Sequence, residues 1–116
     1  QHSLLMLLEL AKQGAFSLET VVTRGAHTPA ELFGIEQRGF IREGYWADLV
    51  VVDPRASTTV ATDNLLFQCG WSPLEGQKFS HKIERTFVNG HCVYADGKIQ
   101  AGSPNGQRLK FNGNRR

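Results

Sequence analysis

A run of leucines stands at the front of this sequence: Leu4, Leu5, Met6, Leu7 and Leu8, then Leu10 and Ala11, broken only by Glu9. Read as a helix from Ser3 to Lys12, closed by Gly14 in the left-handed position after a helix, these residues cover nearly every face of the wheel. A helix that is apolar all round is buried in something larger. The residues that follow do not supply enough apolar area to surround it. Domains usually begin on a polar, loosely held stretch. Gln1 instead leads straight into the run with no initiator Met, so further sequence is expected upstream.

The same run is far shorter than the ~20 residues that cross a bilayer. It also lacks the basic start and small-residue cleavage site of a signal peptide, so no membrane is expected as a partner. Thirteen Lys and Arg against eleven Asp and Glu leave a net charge of +2. No basic stripe interleaves with aromatics, which argues against a nucleic-acid partner. Arg115 and Arg116 read as a solvated tail. Cys69 and Cys92 belong to no CxxC. One disulfide is open to them, but nothing else looks secreted. Free, partly buried thiols in a reducing, cytoplasmic compartment are expected.

Helices occupy the first third of an α+β chain. After the leucine helix, Ser17 caps a second one with Glu19 in its first turn and Leu18, Val21 and Val22 as its stripe. It should end near Arg24, before Gly25. Thr28-Pro29-Ala30-Glu31 has the form of a capping box with Pro at the first helical position, starting a third helix that Gly34 ends.

From Gly39 the pattern turns to β. Residues 39–44 read as a turn into a strand from Ala47 to Asp53, stopped by Pro54. Its Leu49-Val50-Val51-Val52 is continuous rather than alternating, so both faces should be covered. Thr58 to Thr62 forms a further strand, and Asp63 caps a helical turn through Leu65 and Leu66. Asn89-Gly90 between two strand-like runs, 82–88 and 91–95, predicts a type I′ hairpin. That loop pairs Val88 with His91, Phe87 with Cys92 and Arg85 with Tyr94. Asp96-Gly97 turns the chain into Lys98-Ile99, and Arg108-Leu109-Lys110-Phe111 has the alternation of an edge strand.

No constellation in the chain carries chemistry. A metal site needs several His, Cys or carboxylate groups at converging spacing. His2, His27, His81 and His91 are scattered, with no HxH, HExxH or CxxC. His91 beside the turn and His27 before Thr28 read as structural. No GxSxG elbow, phosphate loop or carboxylate pair is present. Asp48 and Asp53 flank the valine strand and read as strand-end hydrogen-bonding groups. No catalytic, cofactor-binding or metal-binding residue is therefore assigned. Residues 69–76 form a rigid loop with Trp71 as its expected anchor. Trp71 or Glu75 could contact or gate a ligand, but a loop pinned across a domain junction is favoured.

Together, His27 to Ile35, Arg38 to Gly44, Ala47 to Pro54, Gln68 to Gly76 and the Phe87-Val88-Asn89-Gly90 hairpin resemble dihydroorotases of the amidohydrolase superfamily. The resemblance spans residues 27–99. The 69–76 loop and the Arg108-Leu109-Lys110-Phe111 ending narrow it toward bacterial dihydroorotases. It implies closing helices of a (β/α)8 barrel at 1–38 and the C-terminal part of a small β-sandwich at 39–116. It also implies that zinc and its ligands, a His-x-His pair, a carboxylated Lys, two further His and an Asp, lie upstream of Gln1. None has a counterpart here, so this segment should hold no metal and be inactive by itself.

The implied reaction is the reversible cyclisation of N-carbamoyl-aspartate to dihydroorotate in pyrimidine synthesis, with zinc activating a hydroxide and polarising the carbonyl. The implied partners are the missing barrel, a small-molecule substrate and, as an open option, further copies of the enzyme. Allantoinase or dihydropyrimidinase, a non-catalytic relative acting as a scaffold, and a self-sufficient α+β interaction module are the alternatives. The leucine helix argues against the last.

Overall fold

The computed structural model of the chain describes residues 1–102 and 106–112. Helix α1, Ser3–Lys12, ends as expected, with Gly14 at φ 82° and its N–H donating to Ala11 O at 3.0 Å. Only one stripe of α1 is covered: Leu5 and Leu8 are buried, whereas Met6 is 43% and Leu10 42% exposed.

Helix α2, Leu18–Val22, is capped by Ser17, whose Oγ accepts from Thr20 N at 3.2 Å. The expected stop before Gly25 does not occur. A π-helical turn, Thr23–His27, carries the chain into α3, Thr28–Phe33, and Thr28 itself is right-handed helical, so it caps nothing. Pro29 explains the widening. It has no N–H to give Gly25, and its ring crowds that carbonyl in a regular helix. The wider turn sends the Thr28 N–H to Thr23 O and makes room for the ring. Gly34, at φ 59°, ends α3 as expected.

Gly39 fixes the next segment. Its φ is 80°, and a Cβ there would sit 2.4 Å from Ala30 Cβ and 2.8 Å from Ala26 O. The backbone therefore lies directly on the helix, which no other residue type permits without a shift. Phe40 then stacks on His27, with centroids 4.2 Å apart and planes 7° off parallel, and the Arg42 guanidinium covers Phe40 at 4.2 Å. His27 is thus the packing residue expected.

Four antiparallel strands follow in the order β1 (Leu49–Asp53), β4 (Lys82–Val88), β5 (His91–Ala95), β6 (Lys98–Ile99). A two-stranded ladder of β2 (Thr58–Thr59) and β3 (Lys78–Phe79) lies apart. Asn89 at φ 49° and Gly90 at φ 83° form the expected tight turn, with Val88 opposite His91 and Phe87 opposite Cys92. Beyond that the register changes. A bulge at Val93 puts Tyr94 opposite Thr86 and Arg85 opposite Ala95, in place of the expected Arg85–Tyr94 pair.

Other expectations also need correcting. Val50 (47% exposed) and Val51 (46% exposed) are uncovered, so neither face of β1 is closed by the described residues. β2 is shorter than expected. The turn after it, Thr62–Asn64, is held by Asn64 Oδ1, which accepts from Ala61 N at 3.1 Å, not by Asp63. Residues 108–111 do not extend the sheet: Phe111 bridges Ile35, and Glu36 N donates to Lys110 O at 3.0 Å. Arg115 and Arg116 lie outside the described residues.

The core is small. Leu5, Val60 and Phe79 meet at its centre, with Leu65, Leu74 and Ile83 around them. The radius of gyration is 15.7 Å, whereas a compact domain of this length has about 13 Å. The chain is more open than a self-contained domain.

Candidate functional site

Between the start of α1 and one face of the sheet lies a groove of about 620 Å³. Its floor is a cross-strand row, Val50, Thr86, Tyr94 and Ile99, each in register with the next. Leu4 and Leu5 of α1 form the opposite wall, and Leu66 also lines it. The polar groups here are mostly occupied. Thr58 Oγ1 donates to His81 O at 2.9 Å, and Lys82 Nζ pairs with Glu84 at 2.9 Å. The hydrogen bond to Glu84, and then its charge, raise the Lys82 pKa, the opposite of what a nucleophilic lysine needs. His2, buried between Phe67 and Phe79, has its pKa lowered by burial first and is held neutral in aromatic packing.

One cluster has the composition of a catalytic triad without its geometry. Glu9, Ser80 and His81 adjoin, but the Ser80 hydroxyl donates to Glu9 Oε2 at 2.7 Å, while His81 Nδ1 lies 3.4 Å from Ser80 Oγ. In a triad the serine proton goes to histidine and the acid orients that histidine. Here the acid accepts the serine hydroxyl's hydrogen bond directly. The Ser80 backbone N–H also donates to Glu9 at 2.8 Å, and these bonds hold the Glu9 pKa below its ordinary value. The cluster is a staple from α1 to the chain between β3 and β4.

A second polar centre joins the helices to the hairpin. Arg38, nearly buried, pairs through Nη1 with Asp48 Oδ2 and donates from Nη2 to Asn89 Oδ1 at 2.8 Å, with its guanidinium 5.3 Å from the Trp46 ring centroid. Asp48 Oδ1 in turn accepts from Asn89 N at 2.8 Å, and Gly90 N donates to Ala47 O at 2.9 Å. Asp53 Oδ1 accepts from Arg55 N at 2.8 Å, so both aspartates are the strand-end groups expected. The sequence pattern singled out neither Arg38 nor Glu9. Each is an ordinary charged residue whose partners lie far along the chain.

The 69–76 loop is held differently from expectation. Trp71 is 62% exposed, so its indole is not the anchor of the loop among the described residues. Buried Ser72, whose Oγ accepts from Leu74 N at 3.2 Å, and the Gly76 N–H to Val60 O at 2.8 Å fix the loop instead. Glu75 is occupied by Thr62 Oγ1 at 2.8 Å. Both cysteines are free; Cys92 is half-buried, but Cys69 is exposed rather than partly buried. Among the described residues no group of three or more His, Cys, Asp or Glu could hold a metal ion, so these side chains do not fit a zinc site. None of the described helices is long and apolar enough to cross a membrane.

The described residues form a mixed helix-and-sheet chain with an open apolar groove. Residues 8–94 match the amidohydrolase family model, and the chain belongs to that family. It is similar to the dihydroorotases of Pyrococcus furiosus (33% identical, 96% of this chain, 26% of the relative) and Halobacterium salinarum (42%, 87% and 24%). It is also similar to the allantoinase of Bacillus velezensis (33%, 95% and 24%). Among solved structures, the L-hydantoinase (dihydropyrimidinase) from Arthrobacter aurescens superposes with a TM-score of 0.76 at 29% identity, covering 84% of this chain and 22% of that one. The chain thus spans about a quarter of the length of these relatives.

Proposed function

We propose that the chain is the C-terminal part of a zinc-dependent dihydroorotase of the cytoplasm and is inactive by itself. On this reading residues 1–38 close the (β/α)8 barrel and residues 39–116 supply the C-terminal strands of the β-sandwich. The whole enzyme interconverts N-carbamoyl-aspartate and dihydroorotate, and its zinc ligands belong to the remainder of the enzyme. The work of this segment is mechanical. The Glu9–Ser80 staple and the Arg38–Asp48–Asn89 clamp hold helices and hairpin as one body, against which the rest of the enzyme packs.

The observation that carries the reading is the open apolar surface: the groove over Val50 and Ile99, and the uncovered side of α1. Exposed apolar surface of this kind marks contact faces, and the relatives are about four times as long as this chain. The identity with the Halobacterium salinarum dihydroorotase favours that substrate. The allantoinase match supports a second reading, in which the enzyme opens a different cyclic amide.

The intact protein, supplied with zinc, should interconvert N-carbamoyl-aspartate and dihydroorotate. Turnover of allantoin or dihydrouracil instead moves it to the second reading. A folded, zinc-loaded protein inert toward every cyclic amide contradicts both. The purified 116-residue chain, free of full-length enzyme, should be inactive with added zinc.

A further inference from the structure

Asn-Gly pairs occur in the sequence at 89–90, 105–106 and 112–113. This dipeptide deamidates spontaneously because glycine leaves its own nitrogen unhindered. The Gly nitrogen attacks the Asn Cγ, the amide nitrogen leaves as ammonia, and the succinimide formed adds water to open as Asp or isoaspartate. The reaction needs a free, deprotonated glycine nitrogen and an asparagine side chain able to swing over it.

At Asn89 both requirements are blocked. The Gly90 N–H is bound to Ala47 O at 2.9 Å. Asn89 Oδ1 is fixed by Arg38 Nη2 at 2.8 Å, and the Asn89 N–H by Asp48 Oδ1 at 2.8 Å. Arg38 is itself aimed by its ion pair with Asp48 and by the Trp46 ring. We propose that Asn89 is a latent deamidation site and that the Arg38–Asp48 pair is the catch that keeps it unreacted.

Reaction then proceeds only from the locally opened hairpin, at the unfolded rate scaled by the open fraction. The modification would also loosen the junction it sits in. Aspartate would set a second carboxylate beside Asp48 on one guanidinium. Isoaspartate would add a methylene to the backbone of a two-residue turn whose geometry fixes the strand register. Either product weakens the clamp that had prevented it.

A guanidinium on Oδ1 also polarises the Cγ carbonyl, which on its own would favour attack. Immobilisation outweighs this because the attacking nitrogen is held as well. Peptide mapping by mass spectrometry of the intact protein, aged at mildly alkaline pH with and without urea, separates the two effects. Asn89 should react far more slowly in the native protein than in urea. Arg38→Gln should raise the native rate at Asn89 several-fold and leave the urea rate unchanged. Equal native and urea rates at Asn89 in the wild type would overturn the proposal, as would a folded Arg38→Gln protein reacting no faster. Should that variant fail to fold, Asp48→Asn removes the charge that aims Arg38 and should accelerate the site in the same way; no acceleration there would overturn it equally.

Discussion

Glu9 reaches from α1 to Ser80 and accepts two hydrogen bonds through one oxygen, from the backbone N–H at 2.8 Å and from the hydroxyl at 2.7 Å. The helix that carries the leucine run is thereby tied to the sheet by a carboxylate that must stay ionised. Lys12 adds favourable charge around it.

The pH dependence follows from the sign of that shift. A carboxyl whose folded pKa is depressed stabilises the fold fully above its unfolded value, about 4.3 for Glu. The contribution fades as pH falls through the lower folded value. Thermal melting of the intact protein should therefore favour wild type over Glu9→Gln at neutral pH, with the two curves converging in acid. A gap of constant size down to the lowest pH would show that Glu9 contributes nothing through its charge.

Gly90 tests the turn without disturbing any neighbour. Nothing lies within 4 Å of a Cβ built there, so only the backbone at φ 83° resists a side chain. A left-handed residue carries about 1–2 kcal/mol of strain, and Gly90→Val, being β-branched, should cost more than that. An unchanged melting temperature would refute the assigned turn.

Gly39 should be the more sensitive glycine. Left-handed strain there adds to a collision with Ala30 Cβ and Ala26 O. Gly39→Ala is expected to cost about 2–5 kcal/mol. Chemical denaturation of Gly39→Ala beside Gly90→Ala provides the check, and equal losses would mean that the 39–45 segment does not lie on the helix.

What the sequence disclosed was local. Asn89-Gly90 declares its turn because two adjacent residues must both adopt positive φ, and Ser17, Gly14 and Gly34 mark helix ends by the same short-range chemistry. Thr28 misled because the capping-box pattern is blind to a helix arriving from Arg24, which passes through Pro29 by widening. The Arg85 pairing failed for want of any signal at Val93, whose bulge is a tertiary adjustment. The Arg38 and Glu9 contacts join residues 51 and 71 positions apart and leave no spacing to read. The continuous Val50-Val51 run predicts cover on both faces, and the described residues leave both side chains about half exposed.

Leu5 and Leu10 distinguish a covered helix from a half-solvated one. Leu5 is 3% exposed in the core, and Leu5→Ala should cost about 2–5 kcal/mol. Leu10 is uncovered in this chain alone. In the intact protein, Leu10→Ala should cost a comparable amount if the remainder of the enzyme packs on that face. A loss within about 0.5 kcal/mol, typical of surface sites, would show that it remains in water.

The most direct test of the account is the behaviour of the 116-residue chain alone. Exposed Met6, Leu7 and Leu10 on α1, with Val50 and Ile99 on the sheet, make adhesive surface. Sedimentation velocity at low micromolar concentration, with a hydrophobic dye present, should show self-association and strong dye binding. A dispersed monomer that unfolds cooperatively and binds no dye would contradict the claim that these residues are the supporting segment of a larger hydrolase.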